Sequence, residues 1–290
     1  MRRGSDAGSR PGAIGAGTTI VITGAASGIG RLVALGAARK GAHVVIWDRD
    51  ARAARSVSDA VHAAGGRGTV VVVDLADADA IELAAAETLM LGSVDVLINN
   101  AGVVSGRPLA ELTAAQIDRT MRVNAIAPIL VTRALLPAMR DAGRGRIVTV
   151  ASAAGLIGVA GQTDYAASKF AAVGFMESLR AELRKERSPI TTLTVAPFYI
   201  DTGMFAGVTT KVPALLPILS SAAVATRILA AIDSRRSMLA LPPLVRVVPA
   251  LKVLPAAIAD RLADALGVNE GMDGFTGRGA VVEPPRARRD

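Results

Sequence analysis

The run Thr23-Gly24-Ala25-Ala26-Ser27-Gly28-Ile29-Gly30 stands where a β-branched stretch gives way to a helical one. Glycines at such a joint let the chain turn tightly and let its backbone approach a bulky anion. The free N–H groups and positive dipole of the helix N-terminus favour that anion. Eighteen residues after Gly30, Asp48 ends the next apolar stretch. A carboxylate there can accept hydrogen bonds from the ribose hydroxyls of a dinucleotide and repel a 2′-phosphate. Both effects favour NAD over NADP, although the neighbouring Arg49 could receive a 2′-phosphate. Farther along, Tyr165 and Lys169 are four residues apart in a helical stretch and so share a face. A free tyrosine, with a pKa near ~10, is a poor base at neutral pH. A nearby ammonium favours the phenolate, which could take a proton from an alcohol or return one to a carbonyl.

These residues need elements to position them. Short apolar, β-branched runs predict strands over 18–23, 42–47, 69–73, 94–98, 146–150, 190–195 and 237–241. Between them the pattern turns helical over 29–40, 50–64, 78–91, 114–139, 165–187 and 222–232. Such alternation predicts a single-domain α/β Rossmann fold, a doubly wound parallel sheet of about seven strands with helices on both faces. The domain is expected to span 18–280, between a disordered leader over 1–17 and a flexible tail over 281–290. Residues 203–220 are apolar but broken by Gly203, Gly207, Pro213 and Pro217, which predicts a mobile flap or short helices over a pocket.

The motifs, in this order, resemble the short-chain dehydrogenase/reductase family, whose glycine pattern is TGxxxGxG. The resemblance runs from about Thr18 to Thr202. It implies that Gly24, Ser27, Gly28, Ile29 and Gly30 hold the cofactor pyrophosphate and that Asp48 holds the adenosine ribose. It places Asp74-Leu75 at the adenine and matches Asn99-Asn100-Ala101-Gly102 to the family's NNAG, with Asn100, Ala101 and Gly102 at the cofactor. Ser152, thirteen residues before Tyr165, orients the substrate oxygen; Tyr165 is the acid/base; Lys169 also holds the nicotinamide ribose. Asn124 matches the asparagine that supports a water chain from the lysine to solvent. Pro197, Ile200 and Thr202 match the segment after the sixth strand, where Thr202 reaches the carboxamide or phosphates. Phe198 replaces the usual glycine there, which leaves the backbone path open and makes Phe198 a candidate wall of the substrate pocket.

The resemblance implies hydride transfer between NAD(H) and an alcohol, ketone or aldehyde. Stretches such as residues 45–48, 147–155 and 168–175 are similar to the retinol and hydroxysteroid dehydrogenase branch, which acts on steroid-, retinoid- and lipid-like alcohols. An apolar flap suits such substrates, but its residues could equally form core or a dimer surface. Family members pair through the helices expected at 114–139 and 165–187, which implies a homodimer or homotetramer. The end of the chain, residues 272–279, could cover the active site of a neighbouring subunit. Two other readings compete with an enzyme of this kind. One is a non-catalytic NAD(H)-binding scaffold or sensor, which predicts damage in the Ser152–Tyr165–Lys169 set. The other is an epimerase or dehydratase, which predicts a different glycine spacing.

Composition narrows the remaining classes. The chain has no cysteine, so disulfides and thiolate metal sites are excluded. Its two histidines, His43 and His62, lie near no motif for a metal site or a Ser-His-Asp hydrolase. The net charge of +8 comes from scattered arginines without interleaved aromatics, which argues against a nucleic-acid partner. No apolar run reaches the ~18 residues of a membrane span. A cytoplasmic protein is expected. Residues 241–259, apolar with Arg246 and Lys252, could lie on a membrane surface or pack against the domain or a partner subunit.

Overall fold

The computed structural model describes residues 14–234 and 236–277. The predicted strands form β1 (Thr19–Thr23), β2 (His43–Asp48), β3 (Arg67–Val72), β4 (Val96–Asn99), β5 (Arg146–Val150), β6 (Thr191–Pro197) and β7 (Met238–Leu241). They make one seven-stranded sheet in the order β3-β2-β1-β4-β5-β6-β7, and every pairing is parallel. Both faces are covered, which is why the strands read as continuous apolar runs rather than alternating ones.

Alternation along each strand still sorts side chains between the two faces. Ile20, Ile22, Val44, Ile46, Ile98 and Val148 pack towards α1 (Gly28–Ala38), α2 (Ala51–Ala63) and α7 (Ser221–Ile232). Val21, Val45, Trp47, Leu97 and Ile147 pack towards α3 (Ala78–Leu89), α5 (Ala127–Asp141) and α6 (Thr163–Lys185). Asp50 and Asp77 cap α2 and α3, each accepting from two backbone N–H groups of the first turn.

The long helix expected over 114–139 is interrupted. It divides into α4 (Ala114–Met121), a π-helical turn at Arg122–Ile126 and α5. Pro128 supplies the reason. It has no N–H to offer the Asn124 carbonyl four residues back, and its ring would crowd that carbonyl. Widening the turn relieves the conflict and presents Asn124 to the neighbouring loop.

Packing also begins before Thr18. Ile14 is buried in the core and its N–H donates to Asp233 Oδ1 at 3.0 Å, so residues 14–17 belong to the domain rather than to a leader. The rest of the expected leader and the tail over 281–290 lie outside the described residues. Residues 203–218 form turns and open chain instead of short helices, and a parallel bridge between Ile200 and Leu219 closes the segment at its base. Beyond β7 the chain forms a 3₁₀ turn (Pro243–Val247), α8 (Val248–Leu251) and α9 (Ala256–Ala265).

Candidate active site

The strand order reverses between β1 and β4, where successive connections leave to opposite faces of the sheet and open a crevice at the strand C-termini. A cavity of about 620 Å³ lies there. Gly24, Ser27, Gly28, Ile29, Asp48, Asp74, Leu75, Asn100, Ala101, Gly102, Pro197, Ile200 and Thr202 all line it, as do Ser152, Tyr165 and Lys169. Of the residues expected to hold cofactor, Gly30 alone does not. Its part is packing: a Cβ there would run into the Gly24 carbonyl oxygen and stand 2.5 Å from Asn100 Nδ2.

The floor of the crevice is built from backbone. Gly24 and Gly28 sit at φ +64° and +55°, a region side chains seldom tolerate. Asn100 ties β4 to this loop by donating Nδ2 to the carbonyls of Thr23 and Gly24 at 2.9 and 3.1 Å. Thr23 Oγ1 accepts the N–H groups of Asn100 and Ala101 at 3.0 and 3.1 Å. Asp48 fixes the other side of the loop, where its Oδ2 accepts the Ala26 N–H at 2.9 Å. Asp74 Oδ2 lies 3.6 Å from the guanidinium of Arg119, which also lines the cavity.

The reacting side chains stand at the opposite end. Ser152 follows β5 by two residues; its Oγ accepts the Ala154 N–H at 3.1 Å, and its hydroxyl acts on the Tyr165 phenol in the sense that favours the phenolate. Tyr165 and Lys169 project from the first turns of α6 and are both buried. Lys169 Nζ donates to the Val150 carbonyl at 3.0 Å and lies 5.5 Å from the centre of the Tyr165 ring. Burial pushes the Tyr165 hydroxyl up to about 12; the Ser152 hydrogen bond opposes this and Tyr199 adds to it. Burial likewise draws Lys169 down to about 8. The expected lowering of Tyr165 by Lys169 therefore does not hold for the protein by itself, because loss of solvent outweighs an ammonium at this distance.

Asn124 lies outside the cavity. Its side chain accepts the Val103 N–H and donates to the Val103 carbonyl, both at 2.8 Å, and donates to Ser168 Oγ at 3.1 Å. It positions the loop after β4 against α6. The same loop is pinned by Asp164, whose Oδ2 accepts the hydroxyls of Thr120 and Ser105 at 2.7 and 2.9 Å. Sequence reasoning missed Asp164, which no motif flags. Pro128 was the available signal for the turn that carries Asn124.

Phe198, where the family's glycine is expected, continues the sheet: its N–H bonds the Leu241 carbonyl at 2.7 Å. Its ring joins Tyr165, Tyr199, Phe205 and Phe275 in one aromatic cluster. The chain has eight aromatic residues, and five of them meet here. Phe275, Thr276 and Gly277 line the cavity of their own subunit, with the Thr276 N–H bonded to the Ala206 carbonyl at 2.8 Å. Residues 275–277 thus cover the cavity of their own chain.

A second cavity, of about 860 Å³ and mostly apolar, adjoins the first. Ser152, Phe198 and Phe205 line both. Among the described residues, no three His, Asp or Glu side chains gather to hold a metal, and no helix is long and apolar enough to cross a membrane.

A glycine cradle open to a pyrophosphate, a carboxylate at the end of β2 and a Ser–Tyr–Lys set in one crevice fit a nicotinamide dinucleotide. Fold and site together define an oxidoreductase acting on CH–OH groups with NAD(P). The model of the short chain dehydrogenase family matches residues 18–213, and the chain belongs to that family. Epidermal retinol dehydrogenase 2 of Mus musculus is 40% identical over 267 residues, covering 91% of this chain and 86% of the relative. Retinol dehydrogenase 10 of Homo sapiens is 37% identical over 292 residues, covering 90% and 85%. Among solved structures, a short chain dehydrogenase/reductase from Burkholderia phymatum in complex with NAD superposes with a TM-score of 0.75 at 28% identity, covering 83% of this chain and 94% of that one. A metagenomic short-chain oxidoreductase in complex with NADP gives 0.68 at 35% identity, covering 78% and 97%.

Proposed function

We propose that this dehydrogenase interconverts an apolar, retinoid-like alcohol and its carbonyl, with NAD(H) as the preferred cofactor. The observation that carries the substrate reading is the position of Ser152 on the wall common to the two cavities. A substrate body in the apolar cavity would bring its oxygen to Ser152 and Tyr165. The volume of about 860 Å³ lies in the range of sites for ligands of this size. The two retinol dehydrogenase relatives support the same class.

The nicotinamide ring, when bound, takes up or supplies the hydride. The protein handles the proton. In oxidation the alcohol gives its proton to the Tyr165 oxygen as hydride leaves the carbinol carbon; in reduction Tyr165 returns it. Ser152 holds the substrate oxygen, and Lys169 supplies positive charge beneath Tyr165. With its hydroxyl pushed up to about 12, Tyr165 is protonated at neutral pH and ready for the reductive direction. Oxidation needs added positive charge at the ring, which oxidised nicotinamide brings.

Asp48 supports NAD: its carboxylate faces the cavity and would repel a 2′-phosphate, while Arg49 lines the same wall. The test is NADH formation, followed by absorbance, from retinoid, steroid and long-chain alcohols with NAD⁺ and NADP⁺ in parallel. Turnover with NAD⁺ that falls by roughly 10²–10⁴ in Tyr165→Phe is expected. Turnover confined to small polar alcohols, or faster with NADP⁺, would overturn the reading.

A further inference from the structure

The second cavity is mostly apolar, so each polar side chain in its wall calls for a reason. Ser152 serves the reacting oxygen. Asn269 is already spent: its Nδ2 donates to Asp264 Oδ1 at 2.7 Å and its Oδ1 accepts the Ala160 N–H at 3.3 Å. Lys252 lies over the Phe170 ring, 4.1 Å from its centre, and Asp260 is exposed. Gln162 and Tyr199 remain. Both are buried in this wall, and Gln162 Nε2 donates to the Tyr199 hydroxyl oxygen at 2.9 Å. That bond leaves the Tyr199 proton and Gln162 Oε1 without a partner among the described residues. With the amide turned over, the phenol donates and the amide N–H is left instead; either way the pair offers one donor and one acceptor. Burial pushes the Tyr199 hydroxyl up to about 12, so it keeps its proton at neutral pH. The pair is also close to the chemistry. Gln162 precedes Tyr165 by three residues, and the Phe205 ring packs against both tyrosines, with centroids 5.7 Å from Tyr165 and 5.2 Å from Tyr199.

We propose that Gln162 and Tyr199 form a subsite for a second oxygen of the substrate, carried on the apolar skeleton near the reacting alcohol. The substrate class narrows to apolar diols and hydroxyketones. A hydroxyl gives one hydrogen bond and accepts another, which matches what the pair offers. A bare hydrocarbon in the same place would cover the Tyr199 proton and the amide oxygen with nothing to bond. Desolvating polar groups without replacing their bonds opposes binding. Discrimination follows from that asymmetry, because a site built to bond a hydroxyl penalises the analogue that lacks it. A water held between the two groups would satisfy them as well, and would then leave diol and mono-alcohol equal. The subsite rests on the function proposed above, since it shares that cavity.

The experiment compares kcat/KM for a long-chain alcohol with that for diols of the same length, the second hydroxyl being moved along the chain one carbon at a time. The best diol is expected to exceed the mono-alcohol by roughly 10- to 100-fold, with its second hydroxyl near the first. The double variant Tyr199→Phe, Gln162→Met replaces both partners by apolar groups of similar shape and strands neither. In it the ratio of diol to mono-alcohol should fall to about one. A merely structural loss would lower both substrates alike and keep the ratio. Equal rates for diol and mono-alcohol in the wild type, a preference only for a hydroxyl at the far end, or a ratio that survives the double substitution each overturns the proposal and leaves the function above standing. Absence of turnover with every alcohol in the series refutes both.

Discussion

The Lys169 ammonium sits 5.5 Å from the centre of the Tyr165 ring and is held there by the Val150 carbonyl. Both groups are buried, and burial moves them in opposite directions: the phenol up to about 12, the amine down to about 8. The pair is therefore stored as a neutral phenol beside a costly cation. A site arranged in this way trades stability for readiness to shift protons.

That cost has a pH signature. Between pH 8 and 10.5 the folded protein has lost the Lys169 proton while the unfolded chain still holds it. Stability from this group must rise with pH across the window. Lys169→Met lacks the titration and retains Tyr165, whose own effect cancels in the comparison. Wild type should gain about 3 kcal/mol on the variant between pH 8 and 10.5, read from urea unfolding at intervals across that range. A constant difference would show that Lys169 is not charged and buried together.

Asp48 should govern cofactor choice. Its Oδ2 holds the Ala26 N–H of the glycine loop and its carboxylate faces the cavity. Asp48→Ser keeps a small polar group and removes the charge. The ratio of kcat/KM for NAD⁺ over NADP⁺ should fall by roughly 10- to 100-fold, the worth of one charged hydrogen bond.

Gly30→Ala tests the cradle without touching a cavity wall. The added methyl would press on the Gly24 carbonyl and Asn100 Nδ2. Overpacking of this kind costs about 1–3 kcal/mol. Chemical denaturation should show that loss, and NADH fluorescence titration should show weaker binding.

Phe205 stands edge-on to Tyr165, with ring centroids 5.7 Å apart at 81°, and lines both cavities. Phe205→Leu removes that edge contact but keeps an apolar wall. For a bulky apolar alcohol, kcat should fall by roughly tenfold as the oxygen loses its alignment, while cofactor affinity is unchanged. An equal loss with a short alcohol would place the effect on Tyr165 itself.

Parallel β-α alternation was legible because strands buried on both faces must be apolar throughout and their crossovers must be helical. The glycine loop, Asp48 and the Ser152–Tyr165–Lys169 set were legible because dinucleotide binding and proton transfer need those residue types at those intervals. The break at Arg122–Ile126 was not read, since a helical period hides one widened turn unless the proline at its end is weighed. Ile14 was not read as packed because Asp233, which anchors it, is 219 residues away.

What the residues determined by themselves was local: which stretches are strands, where an anion meets a helix, and which tyrosine has a lysine one turn on. Only the tertiary structure decided how solvent acts on them. It removes water from Tyr165 and reverses the expected direction of its shift. It also brings Phe205 and Phe275, 70 residues apart, over one site, and it sets Leu244, Val247 and Leu262 in the wall of the second cavity. Spacing along the chain records which groups can be neighbours within an element; desolvation and long-range packing depend on every element that closes around them.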